Sequence, residues 1–60
     1  MTNAQRNCID NLLLNNPSII FNWSIGYYST GCISIEYTFY NEKTIITINE
    51  KGIITNTINL

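Results

Sequence analysis

Sixty residues with three Lys or Arg, four Asp or Glu and no histidine give a formal net charge of -1 at pH 7. That excludes the basic stripe nucleic-acid binding needs and the side chain best suited to acid–base catalysis near neutrality. Two cysteines are too few for a disulfide scaffold and lack the paired spacing of a zinc site. A chain this short buries only about 60% of its unfolded surface, so residues 1–60 are read as one small domain that gains from association.

The first sixteen residues read as an amphipathic helix. Thr2, Asn3, Ala4 and Gln5 fit a capping box, in which a hydroxyl and an amide satisfy backbone groups at the helix start. Ala4, Cys8 and Leu12 fall on one stripe with Ile9 and Leu13 beside it, while Arg6, Asn7 and Asp10 stay in water. Asn15, Asn16 and Pro17 end the helix, and Leu14 lies off its apolar stripe.

Ser29, Thr30 and Gly31 read as a three-residue hairpin loop, a type I turn followed by a left-handed glycine. This loop sets Tyr27 opposite Ile33, Ile25 opposite Ile35, Trp23 opposite Tyr37 and Phe21 opposite Phe39. Gly26 with Ser34, Ser24 with Glu36 and Asn22 with Thr38 fall on the other face, so a one-residue slip buries a carboxylate and exposes a tryptophan. A tight turn around Asn41 to Thr44 then brings Phe39 beside Ile46 and Tyr37 beside Ile48. Glu50, Lys51 and Gly52 repeat the loop chemistry, placing Ile48 opposite Ile54, Ile46 opposite Asn56 and Thr44 opposite Ile58.

These loops agree on a single apolar face, which the helix is the only segment left to cover. The expected fold is α+β: one N-terminal amphipathic helix packed on a four-stranded antiparallel β-meander. Cys8 then points into the core and Cys32 to the opposite face, so the thiols stay unbonded and a reducing, cytoplasmic setting is expected. Neither a signal-peptide pattern nor a continuous apolar span is legible, so no membrane partner is expected.

No catalytic constellation emerges. Glu42 and Glu50 sit in turns beside Lys43 and Lys51, Asp10 lies on the wet side of the helix, and Ser24 with Glu36 lacks the oriented base of acyl transfer. The three glycines are scattered and cradle no phosphate. Hence no enzyme, cofactor, metal or small-molecule substrate is expected.

What the pattern does offer is a second sheet face carrying Ile20, Tyr28, Tyr40, Ile45 and Ile53, and edge strands at Ile19 to Tyr28 and Ile53 to Ile58 without lysine or proline. Those five residues are the candidate partner-binding set. They suit a homodimer and a second protein engaged by strand addition or face packing. Asn and Ile together supply 22 of the 60 residues, the bias of an AT-rich genome. Short, non-catalytic chains of such composition suggest a phage or mobile-element inhibitor of a host defence protein, acting in the host cytoplasm. The alternative is a structural subunit that completes a sheet in a larger assembly.

Overall fold

The computed structural model describes residues 1–60. Helix α1 (Asn3–Asn15) precedes strands β1 (Ile20–Tyr27), β2 (Ile33–Phe39), β3 (Glu42–Ile48) and β4 (Ile54–Asn59). The strands form one antiparallel sheet in the order β1-β2-β3-β4, the expected α+β meander. No helix is long and apolar enough to cross a membrane.

Both glycine loops close as their sequences dictate. Gly31 at φ 89° and Gly52 at φ 81° occupy the left-handed region, and their N–H groups donate to Tyr28 O at 3.0 Å and Asn49 O at 2.9 Å. The pairs next to the loops, Tyr27 with Ile33 and Ile48 with Ile54, form as expected.

Farther from the loops the register departs from expectation in three places. In β1, Asn22 pairs with Glu36 and Gly26 with Ser34, so Trp23, Ser24 and Ile25 together stand against Ile35. The bulge inserts an even number of residues, so Phe21 stays on the inner face, opposite Tyr37 instead of Phe39. It also swings Trp23 to the rim. The indole is 50% exposed, which corrects its expected place in the core.

The middle turn is tighter than expected, because Tyr40 and Asn41 take φ 50° and 66° and make a two-residue connection of type I′ character. Ile48 therefore pairs with Ile33 instead of Tyr37, and Ile46 with Ile35 instead of Phe39. This displacement is also even, so the inner face keeps its membership. The third departure is odd. Ile48 pairs with Ile54 but Thr47 with Asn56, which leaves Thr55 as an extra residue in β4 and turns Ile58 to the outer face opposite Ile45. Thr57 takes its place on the helix side, opposite Ile46.

Seven side chains form the buried core: Ile9 of α1, Ile19 just before β1, Phe21 of β1, Ile33 and Ile35 of β2, and Ile46 and Ile48 of β3. Cys8, Leu12, Ile25, Tyr37 and Phe39 pack at its margin. The helix is rolled slightly from its expected orientation, burying Gln5 and Ile9 while Leu13 is exposed. The reason is polar. Gln5 Nε2 donates to Gly31 O at 2.9 Å and Ile48 O at 3.3 Å, while its Oε1 accepts from Thr2 N at 2.8 Å. Thr2 Oγ1 closes the capping box by accepting from Gln5 N at 3.0 Å and donates to Glu50 O at 3.1 Å. One helix terminus thus ties both glycine loops together.

Gly52 completes that junction by absence of a side chain. A Cβ there would lie 2.5 Å from the carbonyl oxygen of Ala4, so only glycine lets the loop touch the helix backbone.

Candidate protein-binding face

The register fixes which residues line the face opposite α1. From one end of the sheet to the other, rows across the four strands read Tyr28–Cys32–Asn49–Ile53, then Gly26–Ser34–Thr47–Asn56, then Asn22–Glu36–Ile45–Ile58, then Ile20–Thr38–Lys43–Leu60. No element covers these rows. Ile20, Tyr28, Ile53, Ile58 and Leu60 are exposed, and Ile45 is half-buried between neighbouring strands.

Four of the five sequence-predicted residues therefore share this face: Ile20, Tyr28, Ile45 and Ile53. Tyr40 does not. It occupies the β2–β3 turn with a positive φ, its ring centroid 4.4 Å from that of Phe39. Ile58 and Leu60 join the face, and sequence reasoning missed them because the bulge at Thr55 reverses the facing of every later residue in the strand. Thr55 carries no glycine-like signal that marks a bulge in advance.

The face is weakly charged, with Glu36 and Lys43 its only ionisable side chains apart from Tyr28 and Cys32. It is mixed in character, with apolar corners at Ile20, Tyr28, Ile53 and Leu60 around a centre of Ser34, Thr47, Glu36 and Ile45. That pattern differs from a ligand pocket, which is concave and encloses its guest. A shallow groove between Asp10, Leu13, Leu14 and Pro17 lies elsewhere, along the last turns of α1.

Chemistry-bearing groups are dispersed. Glu36 pairs with Asn22 and not with Ser24, whose N–H instead donates to Asn22 Oδ1 at 3.1 Å within the β1 bulge. Asp10 holds Arg6 in an exposed ion pair at 3.1 Å, and the same guanidinium lies 5.2 Å from the centre of the Trp23 ring, a cation–π contact at the rim. The two thiols are free. Burial pushes the Cys8 thiol above its ordinary value of 9.0, which keeps it protonated and unreactive at neutral pH.

Fold and site together define a small α+β protein whose sheet is packed on one side only. Comparison with protein-family models, with curated proteins and with solved structures finds no match for this chain.

Proposed function

We propose that this chain is a non-catalytic protein-binding protein that works as a homodimer and presents its open sheet face to a second protein. One observation carries the reading: large apolar side chains, Ile20, Tyr28, Ile53 and Ile58, stand exposed on the uncovered face although the domain has few apolar groups to spare for its core. Aromatic and aliphatic anchors set in a weakly charged surface are what a protein partner desolvates at low cost. Given the composition, the partner is a host protein and the chain a phage or mobile-element inhibitor of it, acting in the host cytoplasm.

The test is functional and structural at once. Hosts carrying single defence systems are challenged with phage while expressing this chain or its Ile53→Lys variant. The reading predicts restored plaque formation in one host, lost with Ile53→Lys, while circular dichroism shows the variant folded. If the chain restores plaque formation in none of these hosts, and cross-linking in cells finds it attached neither to itself nor to another protein, the reading fails.

A further inference from the structure

We infer that the homodimer forms by antiparallel pairing of β4 with β4 of a second copy, joining two sheets into one of twice the width. The inference rests on the homodimeric reading above and specifies its geometry. A sheet of this order has two edges, β1 and β4, and they differ in their fitness to pair.

The β1 edge is obstructed. Its bulge at Trp23–Ile25 breaks the regular alternation of outward backbone groups, and the Ser24 N–H is already spent on Asn22 Oδ1. The β4 edge is free. Past Thr55 its ladder with β3 is regular through Asn59, all of its residues are exposed, and residues 53–60 contain no charged side chain and no proline. Charge and proline are devices by which an edge strand refuses a partner, and β4 has neither; its one bulge, at Thr55, precedes the regular stretch that would pair.

Backbone polarity sets the register. Leu60 N–H donates to Lys43 O at 2.9 Å, so by antiparallel alternation Asn56, Ile58 and Leu60 bond to β3, while Thr57 and Asn59 aim their N–H and C=O groups outward. A two-fold axis at Ile58 lets Thr57 exchange hydrogen bonds with Asn59 of the second copy, and Asn59 with its Thr57. Ile58 then meets Ile58 of the second copy at the close, non-hydrogen-bonded position, extending the Ile45–Ile58 row across both sheets. No like charges are brought together. With one competent edge per chain the assembly closes at two, because a further copy finds only the bulged β1 edge. An edge this short buries little, under about 1,200 Å², so the dimer depends on concentration.

The experiment is light scattering and sedimentation across a wide concentration range, with amide exchange by NMR. Thr57→Pro removes an outward donor and no β3 hydrogen bond, and should raise the dimer dissociation constant on the order of 100-fold while leaving the fold intact. Ile58→Lys and Ile58→Glu should each be monomeric alone and form a mixed dimer when combined, which keeps the inference testable if the proline variant fails to fold. In the dimer Thr57 and Asn59 amides are protected from exchange, and on dilution they open before Ile58 and Leu60. A wild-type dimer that survives Thr57→Pro but is lost in Ile45→Lys overturns edge pairing and leaves the homodimer standing through its face. A wild-type monomer at every concentration overturns both, leaving this edge to a strand from another protein.

Discussion

Replacing Gln5 by alanine tests the helix–loop junction most sharply. The side chain is only 1% exposed and makes three hydrogen bonds, to Thr2 N, Gly31 O and Ile48 O. A net contribution of about 0.5–1.5 kcal/mol per bond, with buried groups left unpaired, puts the loss at about 2–4 kcal/mol. At roughly 0.05–0.15 kcal/mol per residue, the whole domain has only about 3–9 kcal/mol to lose. Urea unfolding followed by Trp23 fluorescence and far-ultraviolet circular dichroism measures the change, with the slope against urea expected to stay constant. A loss below about 0.5 kcal/mol refutes the junction. Gln5→Glu adds a signed test, because an ionised carboxylate there faces the carbonyl oxygens of Gly31 and Ile48, whereas the protonated acid donates to one of them. Its folded pKa is therefore raised above the usual value of about 4.3. Stability of this variant is fully present below that value and lost as pH rises through the folded pKa. A variant that instead gains stability from about pH 4 to 7 contradicts the geometry.

Three further outcomes are expected. Gly52→Ala should cost about 2–3 kcal/mol and Gly31→Ala about 1–2, since both are left-handed but the first meets the Ala4 backbone and the second only the movable Glu50 side chain; paired urea midpoints decide the order. Ile48→Ala, at a fully buried position, should cost about 3–4 kcal/mol, whereas Trp23→Ala on the rim should cost only about 1.5–2.5; equal losses would return Trp23 to the core. Burial raises the Cys8 pKa, so the protonated thiol supports the fold below pH 9 and that support is lost as pH rises through the folded value. As pH rises above about 9, wild type should therefore lose more stability than Cys8→Ala, and parallel curves would assign the fall to other groups.

Much of the fold was legible because its decisive signals are local. Gly31 and Gly52 announce their loops, and Thr2 with Gln5 announces the helix start, since each needs one special residue at one position. The register errors have physical causes. Tyr40 and Asn41 make a turn usually written with glycine, so the sequence pointed to a turn later in the chain. That error and the β1 bulge both displaced pairing by an even number of residues and left the inner face intact except at Trp23, which the bulge moves to the rim. The single extra residue at Thr55 could not be so forgiving, and it hid Ile58 from the predicted binding set. The sequence marks Gln5 as a cap but not as a buried tie between loops, because that second role depends on Gly31 and Ile48 arriving from distant parts of the chain.

The isoleucines themselves report on the central claim, that one side of the sheet is closed by the helix and the other is left for a partner. A soluble paramagnetic probe, read by methyl NMR over a dilution series, distinguishes the two sets. Ile9, Ile33, Ile35, Ile46 and Ile48 should be shielded at every concentration, while Ile45 stays accessible throughout and Ile58, accessible when dilute, becomes shielded as two copies pair through β4. Accessible Ile46 and Ile48, or an Ile58 equally open at all concentrations, would contradict it.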